Sequence, residues 1–117
     1  MRTIHPNDIP AAPVTSEGAA KATIRELITA DTGAPTFAMR LFEVEPGGHT
    51  PLHAHDWEHE VFILAGSGEV RGPEGAHPFA AGDAVFVPPG ETHQFANTGP
   101  ARLRFLCLIP VQQACCR

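Results

Sequence analysis

The sequence predicts an all-β fold in a single domain, and three observations carry that reading. Turn-forming clusters recur about every 8 to 12 residues, the spacing of a sandwich or barrel. Pro (12) and Gly (11) make up almost a fifth of the 117 residues, with one Lys and no Tyr, so short punctuated segments fit better than long helices. There is no solenoid repeat or low-complexity tract, and the only helical candidate is the weak stretch 21–30, KATIRELITA.

At roughly 100 to 200 residues per domain, this length allows one domain. Residues 1–20, rich in Pro, Ala, Thr and Ser, read as an N-terminal arm that serves packing, and residues 21–117 as the domain proper. After the loosely alternating stretch 21–30, Asp31-Thr32-Gly33-Ala34-Pro35 supplies a turn. Residues 36–45, TFAMRLFEVE, form a strand that Pro46-Gly47-Gly48 breaks. Alternation sends Glu43 and Glu45 to solvent and Arg40, Phe42 and Val44 inward.

Residues 49–72 run into two more strands joined at a hairpin turn, Gly66-Ser67-Gly68. A turn over Arg71-Gly72-Pro73-Glu74-Gly75 leads to a short strand, 77–80, and Ala81-Gly82-Asp83 turns into AVFV. Pro88-Pro89-Gly90-Glu91 turns again, 92–96 continues as a strand, and after Asn97-Thr98-Gly99-Pro100 the run ARLRFLCLIP is the strongest β signal in the chain. There Arg102 and Arg104 face out, while Leu103, Phe105, Cys107 and Ile109 face in.

Composition removes several function classes. With 8 Lys plus Arg against 13 Asp plus Glu, the net charge of -5 and the scattered arginines exclude the basic footprint of a nucleic-acid binder. No apolar run reaches the ~18 residues of a membrane span, and MRTIHPNDIPAAP lacks the apolar stretch of a secretory signal. Three cysteines, two of them the adjacent Cys115 and Cys116, make no disulfide framework. These features point to a reducing, cytoplasmic setting, and Cys115 and Cys116 are assigned no role. Ser67 lies in a turn without an adjacent base, no G-x-S-x-G elbow is present, and phosphate-cradling loops are absent.

Histidine is the conspicuous residue, seven in all. His53, His55 and His59 share odd parity, so on a strand they project to one face, with an irregular step at Asp56-Trp57. Imidazoles gathered on an inner face each bring a nitrogen that is costly to bury unpaired. A divalent metal answers that cost, and so would a backbone carbonyl for each ring. His93, after the turn Pro88-Pro89-Gly90, offers a fourth ligand. His49 and His77 read as surface residues, His5 in the arm carries no signal, and Trp57 reads as core packing.

The two segments together resemble the cupin superfamily. Gly47, His53, His55, His59 and Gly66 match the spacing of its first motif, and Gly82, Pro88, Gly90, His93 and Asn97 that of its second. The chain departs from the usual pattern at His59, where most cupins carry Glu; Glu58 and Glu60 flank it, but the step to Gly66 selects His59. This variant, with MRLFEVEPGG and FLCLIP, is similar to a small bacterial manganese-binding subgroup, and the likeness covers residues 37–110. The resemblance implies a double-stranded β-helix, or jelly-roll, barrel over 21–117 that forms a homodimer. It further implies one divalent transition metal per chain, Mn first among Mn, Fe, Co, Ni, Cu and Zn, held by His53, His55, His59 and His93.

Such a site, acting on a small-molecule substrate, suits a metal-dependent oxidoreductase, a dioxygenase-like oxidation or C–C cleavage. The alternatives are a metal-dependent lyase or isomerase, with His49 as the spare base, and a non-catalytic small-ligand barrel. Arg40, Phe105 and Cys107 are the pocket-lining candidates. Arg40 is an anchor for an anionic substrate group, or else a cation at the barrel mouth or paired with a glutamate. Cys107 is a small inert hydrophobe or a thiol exposed to oxidation at the metal.

Overall fold

The last strand, Leu103–Pro110, alternates buried and half-buried residues along its whole length. Leu103, Phe105, Cys107 and Ile109 are at most 3% exposed, as period two requires of a strand with one face on a core. The computed structural model describes residues 1–111 and builds them into nine strands. They are β1 (Ala12–Pro13), β2 (Ala20–Ile28), β3 (Phe37–His49), β4 (His59–Ala65), β5 (Ser67–Gly72), β6 (Gly75–Ala80), β7 (Ala84–Val87), β8 (Gln94–Ala96) and β9 (Leu103–Pro110). Short 3₁₀ turns at Pro6–Asp8 and Ala30–Thr32 are the only helical pieces among the described residues. No helix of the structure is long and apolar enough to cross a membrane.

The strands form one curled antiparallel sheet in the order β6-β5-β8-β3-β9-β4-β7, with β2 on β3 and β1 on β2. Strand β3 bends the sheet into a barrel. Its first eight residues pair with β9, and its last, His49, pairs with Ala96 of β8. The fold is the all-β, single-domain jelly-roll barrel.

Inside the barrel, Arg40, Phe42 and Val44 of β3 face Phe105 and Cys107 of β9 and Val61 and Ile63 of β4. The Phe105 ring stacks on Phe42 at 5.3 Å and on Phe95 at 5.0 Å, an aromatic column through the core. The outer face is different. Glu43 projects there as alternation requires, yet it is 8% exposed, not solvated as expected. Arg104 at 3.0 Å, Arg25 at 3.6 Å and Arg102 at 3.8 Å close around its carboxylate. Glu45 remains exposed and pairs with Arg102.

Four expectations about elements need correction. The helical candidate 21–30 is strand β2: Ala22, Ile24 and Leu27 are buried, and pairing with β3 overrides a weak local preference. Pro46-Gly47-Gly48 does not end β3, because Gly47 takes φ 82° and the chain bulges before it continues to His49. Across that bulge β2 pairs Ala20 with His49 and Ala22 with Val44. Asn97 fastens the bend by donating from Nδ2 to the carbonyls of Val44 (2.9 Å) and Ala101 (2.8 Å).

Gly66-Ser67-Gly68 joins β4 to β5 but is no hairpin, since those strands do not pair; β8, β3 and β9 lie between them in the sheet order. A Cβ on Gly68 would lie 2.1 Å from the Ala96 carbonyl oxygen, so only glycine lets the strands approach. The strand expected over 92–96 is shorter, Gln94–Ala96, with His93 in an isolated bridge before it. Pro78 is tolerated in β6 because that strand is the end of the sheet order and its lost N–H breaks no second ladder. In the first twenty residues, Val14 is buried in the core and Ala12 and Pro13 pair with β2. Cys115 and Cys116 lie outside the described residues.

Candidate functional site

The two histidine segments are tied together by their backbones. His53 donates its N–H to the His93 carbonyl at 3.1 Å, and His93 returns the bond at 2.9 Å. The turn at Pro88-Pro89-Gly90 contributes a third tie, from the Gly90 N–H to the His55 carbonyl at 2.6 Å, with Gly90 at φ 80°. His59 opens β4 opposite Val87 of β7. Parity alone does not bring the rings together: His53 and His55 lie on the loop between β3 and β4, not on a strand as expected. Loop bonds converge them.

The four rings meet. His53 and His55 are 4.3 Å apart between centroids, His59 and His93 4.7 Å, and His53 and His93 4.9 Å. The widest separation is 6.5 Å, between His53 and His59. His59 and His93 are buried, while His53 and His55 are half-buried. The flanking Glu58 and Glu60 are exposed. The rings pack on one another, and among the described residues no group of three or more His, Cys, Asp or Glu side chains is placed to hold a metal ion as it stands.

Two details bear on whether a metal fits. His93 Nδ1 lies 2.9 Å from the Glu91 carbonyl oxygen, which can only accept, so Nδ1 carries the proton and the lone pair is on Nε2. His55 Nε2 is buried with no hydrogen-bond partner, and the Trp57 indole stacked on that ring at 4.3 Å and 9° likewise has its buried Nε1 unpartnered. A buried imidazole nitrogen without a partner, on one of four histidine rings that lie close together, is an atom that a divalent cation would satisfy. The donor set fits such an ion.

Beneath the rings is a cavity of about 20 Å³, room for one water-sized occupant. Arg40, Phe105 and Cys107 line it beside His53, His59 and His93. Arg40 is 1% exposed, its guanidinium 5.2 Å from the Phe42 ring centre and its Nη2 3.0 Å from Cys107 Sγ. Its register partner on β2 is Glu26. His49 is half-buried rather than on the surface, because the Gln94 amide donates to its Nδ1 at 3.2 Å. His77 and His5 are exposed.

Sequence reading missed Gln94, which also donates to the Thr50 carbonyl at 3.0 Å, and the Arg40–Cys107 bond. Neither has a spacing signal, since each joins strands distant in the chain.

The Glu58 carboxyl is raised above its ordinary value, first by its hydrogen bond with Glu60, then by that group's negative charge, and least by burial. The folded state therefore holds this proton more tightly than the unfolded chain. The associated stability is present at low pH and is lost as pH rises through the raised value.

The family description "Cupin domain" matches residues 40–109. The fold superposes on the polyketide cyclase RemF from Streptomyces resistomycificus with a TM-score of 0.87 and 37% identity, over 100% of this chain and 80% of that one. The sequence is 33% identical over 99 residues to 1-methylthio-D-xylulose 5-phosphate methylsulfurylase from Rhodospirillum rubrum, covering 83% of this chain and 63% of that protein. It is 39% identical over 74 residues to an oxalate-binding protein of Thermotoga maritima, covering 60% of this chain and 61% of that protein. The chain thus spans about three-fifths of the length of these curated relatives.

Proposed function

The chain belongs to the cupin family, and from that premise we propose that it is a mononuclear metal enzyme acting on a small organic molecule at the barrel mouth. The observation that carries this reading is the close approach of the His53, His55, His59 and His93 rings, together with the buried, unpartnered Nε2 of His55. These four residues hold the ion. The flanking Glu58 and Glu60 are exposed, which favours His59 over either of them.

Neutral imidazoles select a transition ion over Mg or Ca, and the resemblance puts Mn first, ahead of Fe, Ni, Zn, Cu and Co. When bound, such an ion supplies Lewis-acid polarisation of a substrate oxygen and, where redox-active, one-electron chemistry. The protein's own part is to exclude water with Phe42, Phe95 and Phe105 and to set the Arg40 charge in the cavity wall.

Two reaction classes use that chemistry. Likeness over the whole chain to a polyketide cyclase favours rearrangement of carbon bonds without net oxidation, the lyase or isomerase side, on a carbonyl-bearing substrate. The oxidoreductase side, a dioxygenase-like oxidation or C–C cleavage, would use the one-electron chemistry of a redox-active ion instead. Consumption of dioxygen during turnover separates them.

The first test is metal content of protein purified without an immobilised-metal column. About one Mn per chain is expected by mass spectrometry, and a metal-free protein that also takes up none on dialysis against Mn(II) would sink the reading.

We also propose a homodimer in the cytoplasm. The outer face of β7-β4-β9 exposes Phe62, Leu64 and Phe86 beside half-buried Leu106 and Leu108, an apolar surface that a second copy would cover. Sedimentation should give twice the 12.5 kDa chain mass, and Phe86→Lys should shift the mass toward one chain. A wild-type monomer at all concentrations would refute the assignment.

A further inference from the structure

We infer that Cys107 is a positioning residue for the His59 imidazole, with the Arg40 guanidinium fixing the sulfur; the inference rests on the reading of His59 as a metal ligand. Register produces the arrangement. Arg40 of β3 is the direct partner of Cys107 on β9, and Cys107 is the direct partner of Val61 on β4. His59 is two residues before Val61, so its side chain leaves the same face of β4. Three adjacent strands thus deliver a cation, a sulfur and an imidazole side by side.

The contacts follow that placement. Arg40 Nη2 donates to Cys107 Sγ at 3.0 Å, and His59 Nδ1 is 3.3 Å from the same sulfur. Arg40, Cys107 and His59 are 1%, 3% and 2% exposed, so no bulk water competes for these bonds.

A guanidinium is donor-only, so the sulfur must accept from Arg40. That bond holds the sulfur at a defined point on the cavity wall; a histidine that ligates an ion through Nε2 carries its proton on Nδ1, so in the proposed site His59 Nδ1–H donates to this sulfur. With the proton on Nδ1, the lone pair lies on Nε2, the nitrogen that a ligand histidine must offer. His93 solves the same problem with the Glu91 carbonyl at 2.9 Å. For His59 the contact comes from a side chain of the next strand, Cys107 Sγ at 3.3 Å. Metal-ligating histidines depend on such outer partners, whose loss costs about 10–100-fold in metal affinity.

The inner positions of β9 are otherwise apolar, namely Leu103, Phe105 and Ile109. Cys is the one side chain there that combines small size with an acceptor atom, which distinguishes a positioning role from inert filling.

The experiment compares the full chain with Cys107→Val, which keeps the volume without a polar acceptor, and Cys107→Ser, which keeps an acceptor. One readout is the tautomer of His59 in the metal-free protein at fixed pH, from long-range proton–nitrogen NMR correlations. The other is Mn(II) affinity by competition with a chelator of known strength. His59 is expected as the Nδ1–H tautomer in the wild type and in Cys107→Ser, and as a mixture in Cys107→Val. Mn(II) binding should weaken by about 10–100-fold in Cys107→Val only.

An unchanged tautomer in Cys107→Val overturns the inference. So does a folded Cys107→Ser variant that behaves like Cys107→Val. If the wild type binds no Mn(II) while the tautomer still follows residue 107, the metal reading fails and the positioning contact stands.

Discussion

Replacing His93 by Ala is expected to remove bound metal almost completely, weakening affinity for Mn(II) by more than about 100-fold, while the barrel stays folded. A lost first ligand must cost more than a lost outer partner, for which the range is about 10–100-fold. The fold should survive because the ties between the two histidine segments are backbone bonds, 2.9 and 3.1 Å long, that an alanine also makes. The side chain also bonds the Glu91 carbonyl. His53→Ala should behave in the same way.

Metal content by mass spectrometry, with circular dichroism as the control for folding, checks both variants. Full metal retention in the two of them would show that the ring cluster is a packing device. A parallel comparison addresses the unusual position. His59→Ala should lose metal, and Glu58→Gln and Glu60→Gln should not; the reverse pattern would return the site to three histidines and a carboxylate.

Phe105→Ala is expected to have the largest effect on stability, a loss of about 3–5 kcal/mol. The ring is 1% exposed and stacks on Phe42 and Phe95 at 5.3 and 5.0 Å, so truncation removes both aromatic contacts and opens a void that the strands around it cannot close. Against a typical total of about 5–15 kcal/mol, that would remove a large share of the fold's margin. Urea denaturation measures it directly. Phe105→Leu, which retains most of the volume, should lose much less, and a loss under about 1 kcal/mol for Phe105→Ala would mean that the column is loosely packed.

The strand pattern was legible wherever alternation met a one-sided core. In ARLRFLCLIP the inner and outer residues follow strict period two, and the structure buries Leu103, Phe105, Cys107 and Ile109 accordingly. The reading failed where pairing partners decide. Residues 21–30 alternate only loosely, because the register with β3 slips between Glu26 and Ile28 and the buried residue after Ile24 is Leu27. Glu43 has the parity of a solvent-facing residue, but arginines from β2 and from the stretch around β9 surround it. No local pattern encodes that.

By itself the sequence determined the fold class, most of the turns and the four histidines as candidates, because these are written in period, punctuation and motif spacing along one chain. Only the tertiary structure decided what the side chains around them do. It joined His53 to His93, brought Arg40 against Cys107 and Cys107 against His59, and stacked Trp57 on His55. The first three contacts join residues far apart in sequence and depend on how separate segments are set in register, which a single strand's pattern cannot specify; the last is local to the loop between β3 and β4.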